Sequence, residues 1–529
     1  MRLGHLRRLV AVASIAFVAA GSSIAVATPG SATTVPLRIS IKGKHFVNGA
    51  GHVVRLLGVN HTSAEYGCVD GFGYDDGHFT GADAAAIASW KATAVRVPLN
   101  EDCWLGINGQ PNSSEGADPP LTRDGYRHEI VNYVAALNRH GLYAILDLHW
   151  NAPGTQVALE QQPMPDWDHS RAFWTSVATT FKANHAVVFD LYNEPFDPTD
   201  PRSGDDQDPN DKVTWNCWET GTKNGPDGGD PCFTAAYDEN GQKTSTYRVA
   251  GLQSLLDAIR ATGARQPVMA GGLDYANDLG DRDHGSAWMN HAPDDPLNQE
   301  AASFHNYMGK ACDHLTCWNG VLAPIATHVP VVTGEFAEDN FLQRKCNAPR
   351  STFDARYMAW ADSKGVSYLA WGWIVESQAE KDADGCSAFY LIENYSHYTP
   401  AQPNGVALRD HLRALFAPPV RLTRFEAVVK TGNRVVRFTL RSPSTSRGSI
   451  TGRTVHTYIV NGARRHVGLG SVAFTLRARV SKAVLLTLTR RAHRLLVRKR
   501  QLAVLITITL TSPGHRRTVI HRSVTLKAR

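Results

Sequence analysis

The region from Val420 to Arg529 has no tryptophan, no cysteine and a single acidic residue, Glu426. It holds 24 of the 55 lysines and arginines, whereas all 12 tryptophans and all eight cysteines precede it. A uniform composition along the chain is therefore excluded. The change predicts two domains, 37–417 and 420–529, which meet at a proline pair typical of a boundary.

Long apolar runs are also lacking, which argues against a membrane-spanning helix, because such a helix needs roughly 20 apolar residues. The strongest run, Leu9–Ala20, is shorter and stops before Gly21. Three arginines precede this run, and the small residues Ala25 and Ala27 follow it. This order is typical of a signal peptide over 1–27 and favours it over the alternative, a membrane anchor. We expect a secreted, extracellular protein without a membrane span.

The cysteines lack the paired CxxC spacing of structural zinc sites. Disulfides are expected in an exported protein, although eight cysteines allow 105 pairings. The aspartate-rich run Asp200–Asp211 lacks EF-hand spacing, so we interpret it as a solvated loop rather than a calcium site. We expect neither a metal nor a cofactor. The simplest disulfide pairing joins neighbours along the chain: Cys68 with Cys103, Cys217 with Cys232, Cys312 with Cys317, and Cys346 with Cys386.

Eight short runs before Val420 have the near-continuous apolar character of strands covered on both faces. Helical patterns lie between several of them, at about 124–140, 246–262 and 353–364, and each stops before a glycine. This alternation predicts an α/β fold, a (β/α)8 TIM barrel over 37–417. The expected strands are Leu56–Asn60, Ala94–Leu99, Ala144–His149, Val187–Glu194, Pro267–Gly272, Ala302–Tyr307, Val329–Glu335 and Ser367–Trp373.

Three further segments have their own patterns. Ile39–Leu57, with Asn48-Gly49 at its centre, predicts a β-hairpin that closes the barrel floor. Asp197–Gln242 is polar and rich in glycine and proline, so we expect a surface insertion rather than core. Alternating runs after Val420 predict a small all-β, sandwich-like domain with a turn at Ser512–His515. Its expected strands are Val435–Leu440, Thr454–Val460, Ala483–Leu488, Leu502–Leu510 and Val519–Leu526.

Polar or aromatic side chains stand near the ends of six expected barrel strands. Each alone has a structural explanation, such as a buried ion pair or core packing. The carboxyl ends of parallel barrel strands meet at one face, however, so we expect these side chains to converge there. They are Arg96, His149, Asn193, Glu194, His305, Tyr307, Glu335, Trp371 and Trp373.

The segment VVFDLYNEPF (Val187–Phe196) resembles the signature of glycoside hydrolase family five, the large cellulase family of the retaining barrel clan. Each of the other strand-end residues matches a residue of that family's active-site set. Trp371 and Trp373 both fit the single family tryptophan, and Trp371 is favoured. The resemblance covers roughly 37–416 and implies a polysaccharide substrate.

The roles follow from the resemblance and from chemistry together. Glu335 is expected to be the nucleophile, kept ionised and oriented by Arg96 and Tyr307. Glu194 is expected to act as general acid and then base, with a pKa raised by the negative charge of Glu335. The two carboxylates should lie about 5 Å apart, which implies retention of anomeric configuration.

The remaining residues are expected to hold the sugar. Asn193 would bind its 2-hydroxyl, His149 and His305 would hold the sugar and the carboxylates, and Trp371 would form an apolar floor. Each tryptophan in an expected loop either stacks on a sugar ring or packs at the rim of the site, and the sequence favours neither interpretation. These tryptophans are Trp104, Trp150, Trp167, Trp215, Trp218 and Trp318.

The substrate is less narrowly specified. The resemblance favours an endo-β-1,4-glucanase, with mannan, β-1,3-glucan or a glycolipid as alternatives, and a non-catalytic carbohydrate-binding protein is the alternative of another class. The tail lacks the aromatic platforms of a carbohydrate-binding module. Its basic stretch Arg490–Arg500 favours either an anionic cell-envelope polymer as partner or a solvated basic face. Nucleic acid is not expected as a partner of an exported protein.

Overall fold

The computed structural model describes residues 37–528 except 113–119, 203–207, 225–228, 281–286, 339–351, 378–388, 417–420, 426–427, 430–433, 443–444, 461 and 512–516. The predicted signal peptide, the predicted turn at Ser512–His515, and Cys346 and Cys386 lie outside the described residues. Within the described part of the chain, no helix is both long and apolar enough to cross a bilayer.

The described chain begins with a three-stranded antiparallel sheet of β1 (Ile39–Lys42), β2 (His45–Asn48) and β3 (Val53–Val54). The prediction of a single hairpin is therefore only partly right. The turn after Asn48 is present, but an earlier turn at Gly43 separates β1 from β2. Gly43 has φ +57°, a left-handed conformation that glycine adopts without a steric penalty.

This small sheet closes one end of a barrel, as predicted. Ile39, Ile41 and Phe46 point away from solvent and form one apolar cluster with residues at the start of the barrel strands. A barrel interior must be filled by side chains, and the small sheet covers the last layer of that filling. The barrel residues of the cluster are Leu56, Ala94, Tyr143, Ile145, Ala186, Val188, Met269, Ala301, Val332 and Leu369.

Eight parallel strands form the closed barrel, and the last of them pairs with the first. The predicted TIM barrel is confirmed. Two strands end earlier than expected, so Glu194, Trp371 and Trp373 lie in the loops that follow rather than in strands. The barrel strands are β4 (Leu57–Asn60), β5 (Ala94–Asn100), β6 (Tyr143–Trp150), β7 (Val187–Asp190), β10 (Val268–Gly271), β11 (Glu300–Tyr307), β12 (Val331–Ala337) and β13 (Ser367–Ala370).

Helices follow most barrel strands and bury one face against them. The helices predicted near 124–140 and 353–364 are present as α4 (Arg123–Arg139) and α11 (Thr352–Lys364). The other helices of this part are α1 (Gly67–Asp70), α2 (Gly81–Ser89), α3 (Glu101–Leu105), α5 (Ser170–Phe181), α6 (Trp215–Thr220), α7 (Leu252–Ala261), α8 (Ala287–His291), α9 (Leu315–Cys317), α10 (Ala323–Ile325) and α12 (Asn404–Leu415), with a 3₁₀ turn at Pro209–Asp211 and a π turn at Trp318–Leu322.

The segment between β7 and α7 departs from the predictions. The helix expected from Thr246 begins only at Leu252, because Lys243–Arg248 is strand β9 and pairs with β8 (Phe233–Tyr237). The expectation that Asp197–Gln242 contributes nothing to the core is wrong. Trp218 of α6 is fully buried, and its indole Nε1 donates to the carbonyl of Gly271 at the end of β10, at 2.9 Å.

Three of the four predicted disulfides are present. Cys68 is bonded to Cys103, Cys217 to Cys232 and Cys312 to Cys317. The bonded cysteines Cys68, Cys103, Cys217 and Cys232 are nearly inaccessible to solvent. Each bridge cross-links a loop near the barrel and constrains the unfolded chain.

The C-terminal part consists mainly of β-strands, as predicted, and also contains one helix, which the prediction of an all-β domain did not include. A three-stranded sheet of order β14-β16-β19 and a five-stranded sheet of order β15-β21-β20-β17-β18 contribute to one apolar cluster. The glycine-containing strand β18 was not predicted. The elements are β14 (Arg421–Phe425), β15 (Val428–Val429), β16 (Val435–Arg441), β17 (Ser446–Val460), β18 (Ala463–Leu476), β19 (Ser481–Thr487), α13 (Arg490–Lys499), β20 (Gln501–Thr511) and β21 (Arg517–Ala528).

Candidate active site

Arg96 of β5 is the hub of the polar cluster inside the barrel. Its fully buried guanidinium donates to Asp190 at 2.9 Å, to Glu335 at 2.8 Å and to Asn193 at 2.9 Å, and lies 3.0 Å from Asp147. Burial alone would lower the pKa of Arg96, but the three carboxylates raise it above its ordinary value. One permanent cation thus binds side chains from three different strands or their loops, β6, β7 and β12.

Glu335 lies in β12 and is held through both of its carboxylate oxygens. Arg96 donates to Oε1, and the hydroxyl of Tyr307 in the adjacent strand β11 donates to Oε2 at 2.6 Å. Burial, followed by the nearby charge of Glu335, raises the pKa of Tyr307 well above its ordinary value, so the phenol remains a donor. An ionised carboxylate accepts both bonds, and this is the form that a nucleophile requires.

Glu194 lies in the loop after β7 and faces Glu335. Its Oε1 is 2.8 Å from Nδ1 of His305, and the same ring nitrogen is 3.6 Å from Oε2 of Glu335. Carboxylate oxygens of the two glutamates and a ring nitrogen of His305 all lie within 4.8 Å of one another. The two carboxylates therefore face one another, and their nearest oxygens lie within the roughly 5 Å expected of enzymes that retain anomeric configuration.

The two glutamates differ in their surroundings. The Glu194 side chain is 18% exposed, whereas that of Glu335 is 4% exposed, so Glu194 is the one in contact with solvent. Burial raises the pKa of Glu194, and this effect exceeds the opposing influence of the positive charges of Lys310 and Arg96. The expectation that the charge of Glu335 dominates this shift is corrected, because desolvation is the largest cause. A raised pKa suits a group that must donate a proton.

The two histidines of the site are neutral at ordinary pH. Burial lowers the pKa of His149 to about 3 and that of His305 to about 3. Nδ1 of His149 lies 2.6 Å from Oδ2 of Asp147, and Nδ1 of His305 contacts Glu194. Neutral imidazoles orient their partners through hydrogen bonds without adding charge.

Asn193 is fixed in the same network. Its backbone N–H donates to the carbonyl of Leu148 at 3.0 Å, and its side-chain carbonyl accepts from Arg96. Its amide nitrogen donates to Gln161, and the residue is 4% exposed. The structure thus brings Asn193 to the same face as Glu194.

Three side chains that pair with Arg96 were not predicted as site residues. They are Asp147, Asp190 and Asn60. Burial raises the pKa of Asp147 and of Asp190 to about 7, although the positive charge of Arg96 opposes the shift. Asn60 accepts from Arg96 at 3.2 Å. The sequence carries a signal for the two aspartates, because each is a lone acid within an otherwise apolar barrel strand, where a charge needs a buried partner.

The two candidate tryptophans, Trp371 and Trp373, lie in different environments in the structure. Trp371 is half-buried and its ring stacks on that of His149, with centroids 5.6 Å apart at an angle of 15°. Trp373 is fully buried, packs edge-on against Trp90 and donates from Nε1 to Asp83 at 2.7 Å. The inclusion of Trp373 among substrate-binding residues is therefore wrong, because a fully buried ring cannot contact a ligand.

The other tryptophans divide in the same way. Trp104, Trp218 and Trp318 are fully buried and pack the protein interior. Trp150, which follows His149 at the end of β6, is half-buried and lies near Tyr66, with ring centroids 6.2 Å apart. Trp167 and Trp215 are also half-buried, and arginines lie over the Trp167 ring. Only the half-buried group has ring surface left to meet a ligand.

A comparison with protein families matches this chain to the cellulase family, glycosyl hydrolase family 5, over residues 48–377. A search of the curated proteins gave no match.

Solved structures with a similar chain include a β-glucanase, SdGluc5_26A from Saccharophagus degradans, in complex with cellotetraose. It is 20% identical, with a TM-score of 0.47, and the match covers 72% of this chain and 93% of that one. The catalytic domain of Thermobifida fusca endoglucanase Cel5A is 16% identical over 71% of this chain and 97% of that one, with a TM-score of 0.44. XacCel5A in complex with cellopentaose is 19% identical over 68% of this chain and 99% of that one, with a TM-score of 0.45.

Proposed function

The chain belongs to the cellulase family, glycosyl hydrolase family 5, and we propose that this glycoside hydrolase cleaves β-linked polysaccharide by a retaining double displacement. The observation that carries the proposal is the pair Glu194 and Glu335, which have carboxylate oxygens within 4.8 Å of each other. An inverting enzyme needs room for a water molecule between its carboxylates, about 6.5–9.5 Å, which this pair does not leave.

In the first step, Oε of Glu335 attacks the anomeric carbon while the bond to the leaving oxygen breaks. Glu194 gives its proton to that oxygen, so the departing sugar leaves as an alcohol and a covalent glycosyl ester remains on Glu335. In the second step, ionised Glu194 takes a proton from water, and the water oxygen replaces Glu335 at the same carbon. Two displacements restore the original configuration.

The surrounding side chains serve these steps. Arg96 and Tyr307 occupy the two oxygens of Glu335 and stabilise its charge before attack and after release. We assign Asn193, the residue before Glu194, to bind the sugar hydroxyl next to the anomeric carbon. The half-buried ring of Trp371 offers an apolar floor for the sugar face.

For the substrate we propose a β-1,4-glucan, cut internally. The support is the family resemblance together with the charge of the site, in which the fully buried guanidinium of Arg96 is already paired with carboxylates. A neutral polymer is the expected ligand because Arg96 has no unpaired charge to offer an anionic one. Mannan, β-1,3-glucan and glycolipid remain the alternatives within the family.

The test measures reducing ends released from carboxymethylcellulose, galactomannan and laminarin by the wild type and by Glu335→Ala. We expect the wild type to act on carboxymethylcellulose and Glu335→Ala to be inactive. Equal and negligible release by both proteins on every polymer would favour a non-catalytic carbohydrate-binding protein. Proton NMR of the first-formed product distinguishes the stereochemistry, and an initial α-anomer from a β-glucan would refute retention.

We also propose that the protein is secreted. The N-terminal sequence pattern and the three disulfides of the described chain support export to an oxidising compartment. N-terminal sequencing of protein recovered from the culture medium should place the mature start after Ala27. Protein found only inside cells, with an intact start, would contradict this.

For the C-terminal region we propose an anionic envelope polymer as the partner. Helix α13 buries Ala492 and Leu496 and exposes Arg494 and Arg498 on its other side, in a region with a single acid. The full chain should be retained by immobilised polyphosphate more strongly than Arg494→Glu/Arg498→Glu, and neither should be retained by dextran. Equal retention of both proteins would refute this partner.

A further inference from the structure

A second group of titratable side chains lies in the barrel part and includes neither catalytic glutamate. Glu101 is the first residue of α3, directly after β5, and Asp166 and His169 precede α5. One carboxylate oxygen each from Glu101 and Asp166 and one ring nitrogen of His169 lie within 4.8 Å of one another. Residues far apart in sequence thus converge on one point.

Glu101 is the unusual member of this group. It is fully buried, and neither of its carboxylate oxygens has a hydrogen-bond partner among the described residues. A carboxyl group in this position needs either a proton or a cation, because an unpaired buried charge is very costly.

Asp166 is held in place beside it. Oδ1 accepts the backbone N–H of His169 at 2.7 Å, and Oδ2 accepts the hydroxyl of Ser170 at 3.0 Å and the amide of Asn151 at 3.0 Å. These bonds fix the direction of the carboxylate before any ligand arrives. Preorganised donors of this kind are what a metal site requires around its ligands.

No lysine or arginine forms an ion pair with Glu101 or Asp166 in the described part of the chain. The nearest group able to carry positive charge is His169, whose Nδ1 lies 4.0 Å from Glu101 and 3.8 Å from Asp166. Its side chain is 21% exposed, so the cluster is reachable from solvent on the histidine side. Two buried acids therefore face each other, and among the described residues the half-buried imidazole of His169 is the group beside them that can carry a positive charge.

We propose that Glu101, Asp166 and His169 bind one divalent metal ion. Two carboxylates and an imidazole suit Zn²⁺ or Mn²⁺ better than Ca²⁺, which prefers six to eight oxygen ligands. Nδ1 of His169 also lies 3.2 Å from the carbonyl of Ala152, so metal binding at Nδ1 exchanges that hydrogen bond for a metal bond, and the ring proton is carried on Nε2 instead. This inference departs from the sequence prediction of no metal.

The ion would brace the loops that carry the sugar site. Asn151, which donates to Asp166, follows Trp150 in the chain, and its carbonyl accepts the hydroxyl of Tyr192 at 2.7 Å. Tyr192 in turn precedes Asn193 and Glu194. A metal at Glu101 thus links the loop after β5 to the loops after β6 and β7.

The test measures metal binding by chelator-treated full chain, by calorimetry with ZnCl₂, MnCl₂ and CaCl₂ in turn. The proteins are the wild type, Glu101→Gln and Glu335→Gln, because the group of Glu194, His305 and Glu335 is the other place in the described chain where carboxylates and a histidine meet. We expect one equivalent of Zn²⁺ or Mn²⁺ in the wild type and in Glu335→Gln. Affinity should fall at least a hundredfold in Glu101→Gln.

The outcomes separate this site from the catalytic one. Glu335→Gln is expected to lose hydrolysis and keep the metal, so a failure of the proposed function does not affect the binding result. If Glu101→Gln does not fold, His169→Gln, at a half-exposed position, replaces it. Binding unchanged by Glu101→Gln or His169→Gln, binding lost only in Glu335→Gln, or no binding by the wild type would each overturn the proposal.

Discussion

Gly334 lies directly against the ring of His305, so closely that a Cβ added to Gly334 would be 2.7 Å from Nε2 of that histidine. Gly334 precedes Glu335 in β12, and His305 contacts Glu194. The register of β11 against β12 shifts between Phe304 and His305, next to this contact. The absence of a side chain at position 334 is therefore what lets the histidine stand between the two glutamates.

Gly334→Ala should lower kcat by at least about tenfold while the barrel stays folded. The added methyl group must displace the His305 ring, and a misplaced ring no longer orients Glu194, a positioning effect that costs catalysis steeply. Steady-state kinetics and the melting temperature are the measurements. Gly320→Ala is the control, because a Cβ there meets nothing within 4 Å. Equal kcat in both variants would contradict the positioning role of Gly334.

The positions of the barrel strands were predictable because apolar runs and glycine stops are local signals. The convergence of Arg96, Glu194 and Glu335 followed from the rule that barrel strands end at one face. The network beneath them was not predictable in detail. Whether Asp147 pairs with Arg96 depends on side-chain directions across the barrel, which no local pattern in the sequence encodes.

The two neighbouring tryptophans illustrate the same limit. Their spacing by two residues suggests one common environment in a strand, but β13 ends at Ala370, so the alternation of a strand does not apply to them. Trp371 therefore faces the site and Trp373 the interior. The sequence identifies both tryptophans as candidates. Only the path of the backbone shows that Trp371 faces the site and that Trp373 packs in the interior.

Trp371→Ala should reduce activity, whereas Trp373→Ala should reduce the stability of the fold. Removing the half-buried ring of Trp371 takes away a sugar platform, so we expect reduced kcat/KM with little change in stability. Removing the fully buried ring of Trp373 leaves a cavity and removes the indole donor from Oδ1 of Asp83, and should cost about 3–5 kcal/mol of unfolding free energy. Denaturant unfolding and kinetics on one polymer check both variants. A stability loss larger in Trp371→Ala would reverse the assignment.

Lys310 should set the alkaline limit of activity. Its positive charge opposes the burial that raises the pKa of Glu194. Glu194 must be protonated to act as the acid, so activity is lost as pH rises through its pKa. Lys310→Met removes the opposing charge, and the alkaline limb of the kcat/KM profile should move to higher pH. Lys364→Met, at an exposed helix end, is the control, and a shift to lower pH in Lys310→Met would be the opposite of this expectation.

Acid should destabilise the fold through the buried histidines. The pKa of His149 falls from roughly 6.5 in the unfolded chain to about 3 in the folded protein, so the unfolded chain binds more protons between these values. Stability from this group is present above pH 6.5 and is lost as pH falls towards 3, by about 1.4 kcal/mol per unit.

The measurement compares the free energy of unfolding at pH 7 and pH 5 for the wild type, His149→Gln and His128→Gln. His149→Gln should lose less stability between the two values than the wild type. His128 is exposed on α4, and its variant should follow the wild type. Parallel losses in all three proteins would show that His149 does not carry the effect.

Arg96→Lys should be both unstable and nearly inactive. A lysine cannot meet Asp147, Asp190 and Glu335 at once, because it lacks the planar fork of a guanidinium. The buried aspartates then lose their partner, which should cost about 3–5 kcal/mol of unfolding free energy. Glu335 loses one of its two donors, and kcat should fall by about a hundredfold or more.

Arg55→Lys is the matched control for that substitution. Arg55 also pairs with an aspartate, Asp362, at 2.6 Å, but its side chain is 19% exposed and lies in the segment between β3 and β4, at the floor end of the barrel. This variant should lose stability to a smaller extent and keep its kcat. If Arg55→Lys reduced kcat as strongly as Arg96→Lys, the loss would reflect weakened folding rather than the hydrogen bond from Arg96 to Glu335, and the hub role of Arg96 would be refuted.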